Sequence, residues 1–98
     1  MSVSVARVPT GSASRYLQQL CKHWSHRLTV AFDAEAGSVD FPNGARLALR
    51  ADPDTLDLVL RVPDGEDEAR MRRLVEEHLD RFAFHEALLT FDWEPGQG

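Results

Sequence analysis

The polar and apolar positions divide the chain into a succession of strands and two helices. Val3, Val5 and Arg7 alternate with Ser4, Ala6 and Val8, the period of a strand, which Pro9 and Gly11 close. From Ala13 to Leu28 the spacing changes. Ala13, Leu17, Leu20, Cys21, Trp24 and Leu28 fall on one stripe of a helix, and Ser12 is placed to cap it. Leu28, Val30 and Phe32 return to alternation, and after a turn over Ala34 to Gly37 come Val39 and Phe41. Ala45, Leu47 and Leu49 continue as a further strand. Beyond the turn Asp52-Pro53-Asp54, the residues Leu56, Leu58, Leu60 and Val62 form the most regular strand of the sequence. Pro63 stops it. Asp64 with Asp67 resembles an acidic capping arrangement, and Glu66, Asp67 and Glu68 suit the positive end of a helix macrodipole. This second helix carries Met71, Leu74, Val75, His78 and Phe82 on one face and ends near Ala83. Ala87, Leu89, Phe91 and Trp93 alternate as a last strand before the polar tail Glu94 to Gly98.

The turn at Pro42-Asn43-Gly44 sets a register. A two-residue Asn-Gly loop would oppose Phe41 to Arg46 and mix the two faces. A three-residue loop with Gly44 left-handed opposes Phe41 to Ala45, Asp40 to Arg46 and Val39 to Leu47, and keeps the apolar face intact. The connections between the middle strands are too short for crossovers, so these strands form an antiparallel meander. The order β-α-β-β-β-β-α-β predicts one α+β domain over residues 1–98. It is a two-layer sandwich, with both helices on one face of an antiparallel sheet. The other face presents Asp40, Arg46, Arg50, Asp57, Arg61 and Asp92. Val8, Val59 and Leu88 on that face are the expected contacts of a homodimer.

Composition narrows the class. Ninety-eight residues, 43% hydrophobic and 28% charged, are ordinary for a globular domain. A net charge of −5 argues against nucleic acid as the main partner, because phosphate binding draws on clustered cations. The single cysteine suits a reducing compartment. No apolar run approaches membrane-spanning length, so the expectation is a soluble cytoplasmic protein without membrane contact.

Candidate chemistry gathers in the first helix. Cys21, His23 and His26 read as C-x-H-x-x-H, but at about 100° per residue Cys21 points roughly 160° away from His23, so the two cannot share an ion. Cys21 belongs to the core. His23 and His26 lie on the polar side, where a metal would need a further ligand that the spacing does not supply. Arg15, Lys22 and Arg27 make the same surface basic, as a patch for an anionic ligand, or as residues that face Glu76, Glu77 and Asp80 of the second helix or simply stay solvated. His78 stands inside an apolar stripe with Arg81 about 60° around the helix, and a buried imidazole needs a hydrogen-bond partner. No nucleophile elbow, phosphate loop or paired CxxC is present.

The segment ASRYLQQLCKHWSHR, with Val39-Asp40-Phe41-Pro42 and the run HLDRFAFHE from His78 to Glu86, resembles the short bacterial proteins grouped as the domain of unknown function 2218 family. The likeness covers nearly the whole chain. It implies no established activity, substrate or cofactor, and it implies an association with siderophore-interacting flavin reductases and iron acquisition.

The reading is therefore a binding or accessory domain without catalysis of its own. Its ligand-binding residues are Arg15, Lys22, His23, His26, His78 and Arg81, and its partner is a small anionic ligand or another protein. No catalytic residue, metal ligand or cofactor is assigned. Two alternatives stand beside it: a metal or haem protein using His23, His26 and His78, and an enzyme with a site at His78 and Arg81.

Overall fold

The computed structural model describes residues 2–83 and 89–96. Strand β1 (Ser2–Pro9) leads into helix α1 (Ala13–Trp24), and β2 (Thr29–Phe32), β3 (Ala36–Asp40), β4 (Arg46–Ala51) and β5 (Thr55–Val62) follow. Helix α2 (Glu68–Phe82) and the short β6 (Glu94–Pro95) complete the chain. The strands form one six-stranded sheet in the order β2-β3-β4-β5-β1-β6, and every pairing is antiparallel. The fold is α+β, in the element order that the alternation implies.

The hairpin between β3 and β4 has the expected register. Val39 opposes Leu47 and Asp40 opposes Arg46, the Phe41 N–H donates to the Ala45 carbonyl, and Gly44 takes φ +89°. Asn43 completes the turn by accepting the Ala45 N–H at 3.0 Å. The alternation along β4 and β5 likewise decides burial. Leu47, Leu49, Leu56, Leu58, Leu60 and Val62 are all buried. Their partners on α1 are Leu17, Leu20 and Cys21, and α2 adds Met71, Val75 and Leu79. Gly37 lets the helix close on β3: a Cβ there would stand 2.9 Å from Cys21 Sγ and 3.4 Å from Leu17 Cδ2.

Several local expectations change. Helix α1 ends at Trp24, not Leu28. The Ser25 N–H donates to the Cys21 carbonyl, the Ser25 hydroxyl takes the Lys22 carbonyl, and Leu28 N–H closes on Trp24 O, so the last turn is satisfied there. Ser12 holds the N-cap position without a capping bond from its hydroxyl; its N–H donates to Thr10 Oγ1 instead. Tyr16 joins the buried stripe. At α2 the cap is Asp67, whose carboxylate accepts the Arg70 N–H, because Asp64 is taken into a turn in which Glu66 N–H reaches Pro63 O and Gly65 has φ +89°.

On β1 it is Ser4, Ala6 and Val8 that face the core, so Val8 is no surface contact for a dimer; Leu88 lies outside the described residues, and only Val59 of that group is partly exposed. The other sheet surface carries exposed ion pairs, Arg7 with Asp57 at 3.1 Å and Arg46 with Asp40 at 3.5 Å.

The last strand is also shorter than the alternation suggests. Residues 89–93 are not a strand, and Ala87 lies outside the described residues. This segment follows α2, held by Leu89 N–H to Asp80 Oδ1 and by Trp93 Nε1 to Glu76 Oε2 at 2.8 Å. Glu94 and Pro95 pair with β1, opposite Val5 and Ser4, and the Gly96 N–H donates to the Val3 carbonyl. Among the described residues no helix is long and apolar enough to cross a membrane.

Candidate functional site

The end of α1 and the last turns of α2 come together in ring contacts. Trp24 and His78 have their ring centroids 5.0 Å apart, His23 and His78 5.7 Å, and His23 meets the edge of Phe82 at 5.9 Å. Trp24 turns its other side to Phe41 at 5.3 Å and so ties this junction to the sheet. Beside the contacts lies a cleft of about 470 Å³, lined by His23, Trp24, His26, Arg27, His78 and Arg81.

His78 is therefore not sealed in the core, although the apolar stripe around it suggested so. It is half-buried at the rim, and its Nδ1 lies 2.8 Å from the Leu74 carbonyl. A carbonyl only accepts, so Nδ1 is the donor and carries a proton. His23 and His26 are exposed. Of the readings open for the basic surface of α1, pairing with the acidic residues of α2 is not what the ion pairs show. Among the described residues, Arg15, Lys22, Arg27 and Arg81 form no ion pair with Glu76, Glu77 or Asp80, and Glu76 accepts from Trp93 instead. Both helices end at the cleft, where Arg27 and Arg81 also lie near the carbonyl ends of the helix dipoles.

The six ligand-binding candidates do not form one site. His23, His26, His78 and Arg81 share the cleft. Arg15 and Lys22 line a second depression on another side of α1, with Ser14, Gln18, Gln19, Ser25 and Phe32. Sequence reasoning left out Trp24 and Arg27 as site residues. With the helix extended to Leu28, Trp24 counted only as core and Arg27 only as one more surface cation. The signal for both was the polar run Ser25-His26-Arg27, where the helix stops.

A family model described as "Uncharacterized protein conserved in bacteria (DUF2218)" matches residues 5–94. The chain belongs to that family. In fold the DUF2218 chain is similar to PA4090 from Pseudomonas aeruginosa, whose NMR structure aligns over 100% of both chains with 37% identity and a TM-score of 0.79. No curated protein matches it.

In this DUF2218 member, no group of three or more His, Cys, Asp or Glu among the described residues is arranged to hold a metal ion. Cys21, which completes the apparent C-x-H-x-x-H motif, is fully buried against Gly37, and burial pushes its thiol up to about 11. Thiolate is the reactive form, so Cys21 is expected to resist Ellman's reagent in the native protein and to react in full once denaturant is added. Rapid stoichiometric colour from the folded protein would show the thiol to be open.

Proposed function

We propose that this DUF2218 protein is a small cytoplasmic binding module, without catalysis of its own, whose ligand is a small anion bearing carboxylate or phosphate oxygens. One observation carries the reading: the cleft wall offers two guanidinium groups, three imidazoles and an indole, and no carboxylate. On a protein of net charge −5 this is a local reversal of sign. Arginine forks suit planar oxyanions, and imidazole nitrogens donate or accept as their protonation requires. Trp24 adds an apolar floor for any flat part of the ligand. The lining residues include no serine, cysteine or carboxylate to serve as nucleophile, which favours binding over turnover. A lone buried cysteine suits the reducing cytoplasm.

The test is titration of isotope-labelled protein with inorganic phosphate, citrate and ferric citrate, the last addressing the iron association. Amide shifts are expected around Trp24, Arg27 and Arg81. Arg27→Ala and Arg81→Ala should each weaken binding by about tenfold or more, the worth of a charge-assisted hydrogen bond. Lys22→Glu, on the other side of α1, should leave it unchanged. Shifts absent from the cleft for all three probes would reject the reading.

A further inference from the structure

Arg15 and Lys22, set apart from the histidine cleft, belong to a different feature. They stand on the wall of a depression of about 800 Å³ between the outer side of α1 and β2. The rest of that wall is uncharged: Ser14, Gln18, Gln19 and Ser25. Its floor is Phe32, 41% exposed and the only exposed large hydrophobic side chain among the described residues. Phe32 opposes Gly37 on the helix side of the sheet, yet α1 does not reach far enough to cover it. One end of the depression is tied down, since the Ser14 hydroxyl donates to the Ala34 carbonyl and Gln18 Nε2 to Ser14 Oγ at 3.0 Å.

Strand β2 is also the edge of the sheet, paired only with β3. The Asp33 N–H donates to the Ala36 carbonyl, which fixes the alternation along β2: Thr29 and Ala31 turn their backbone groups to β3, while Val30 and Phe32 turn theirs outward. An edge strand with unpaired amides and carbonyls accepts another strand. Asp33, just past the end of β2, is tied into the turn, its carboxylate accepting the Glu35 and Ala36 N–H groups at 2.8 and 2.9 Å.

We propose that β2 and the groove beside α1 bind an extended acidic peptide segment of a partner protein, which adds to the sheet as a further strand. Side chains two apart in a strand share a face. An apolar side chain of the segment lies on Phe32, and an acidic one two residues away meets Arg15 or Lys22. A second copy of this chain is a poorer occupant. Pairing β2 with β2 about a twofold axis would bring Arg15 and Lys22 of each copy against the same cations of the other.

The experiment uses the whole chain and a fluorescein-labelled peptide alternating glutamate with valine, with a lysine–valine peptide as its counterpart. The acidic peptide is expected to raise anisotropy on binding and to slow hydrogen exchange at the Val30 and Phe32 amides. The lysine peptide should bind at least about tenfold more weakly, and Arg15→Glu with Lys22→Glu should cost the acidic peptide a similar factor. Val30→Pro removes an outward N–H that no ladder bond uses, so it should block binding with the fold intact by circular dichroism. Phe32→Ala serves as a second block should proline unfold the edge. Arg27→Ala and Arg81→Ala should leave peptide affinity unchanged, which separates this surface from the anion cleft. No binding, binding blind to peptide charge, protection away from β2, or a concentration-dependent dimer that protects Val30 and Phe32 without peptide would each overturn the proposal.

Discussion

Leu17→Ala is expected to destabilise the protein toward the upper part of the range of about 2–5 kcal/mol for a buried leucine cut to alanine. The side chain is fully buried, and its Cδ2 stands over Gly37 of β3. The cost of such a truncation depends on how far the neighbours can settle into the hole. Here the floor is glycine backbone held in the ladder between β2 and β4, and no side chain at position 37 can lean in. A domain of this size is typically stable by only about 5–15 kcal/mol, so the variant loses a large part of its margin. In urea the midpoint should fall with the slope unchanged, while exposed Gln19→Ala on the same helix should stay within about 0.5 kcal/mol. A loss below about 1 kcal/mol for Leu17→Ala would mean that α1 slides onto β3 and that the close approach at Gly37 is not what sets their spacing.

The same contact illustrates which parts of the fold were legible in the sequence. The stripe Leu17-Leu20-Cys21-Trp24 and the alternation from Leu47 to Val62 are short-range periodicities, and each buried the residues it named. The β3–β4 register was legible because Pro42-Asn43-Gly44 is a local turn with a left-handed requirement at one position. What no local pattern specified was the place of β1, which lies between β5 and β6 although it is first in the chain. The segment from Leu89 to Trp93 alternates as a strand should, but side-chain hydrogen bonds to Asp80 and Glu76 hold it beside α2. Alternation reports which residues are buried, not whether the backbone beneath them has a neighbour to pair with.

The candidate site was legible residue by residue and not as an arrangement. A histidine within an apolar stripe and cations along one helix were visible as unusual positions. Whether they met depended on how α1 crosses α2, and that crossing puts His23 and His78 within ring contact while Lys22 faces the β2 edge. One well-connected polar cluster among the described residues left a signal only for its helical half, the i,i+4 spacing of Glu68 and Arg72. Glu68 and Arg72 are one helical turn apart, but Ser4 is separated from both by more than half the chain, and only the return of α2 over β1 brings it to them.

That cluster supports the second large effect: Arg72→Met should destabilise the protein by about 1–3 kcal/mol, the cost of leaving partly buried partners unsatisfied. Ser4 is fully buried on the core side of β1, where an apolar residue would be expected. Its hydroxyl donates to Glu68 Oε1 at 2.6 Å and accepts from Arg72 Nε and Nη2 at 3.2 and 2.9 Å, while Arg72 also pairs directly with Glu68 one turn away. Ser4→Ala should cost less, about 1 kcal/mol, because the ion pair survives it. The Glu68 carboxyl is held below the usual carboxylate range, first by the Ser4 hydroxyl, then by that of Ser2 and by the charge of Arg72, against the opposing effect of desolvation. A depressed folded pKa means that the stabilisation is present above the unfolded carboxylate value of about 4.3 and is lost as pH falls through the lower folded value. The stability difference between the natural protein and Glu68→Gln should therefore be at its full size near neutral pH and shrink in acid below about pH 4, as urea midpoints at the two pH values would report. A difference that stayed constant into acid would mean that Glu68 contributes through packing rather than through its charge, and that Ser4 and Arg72 hold each other without it.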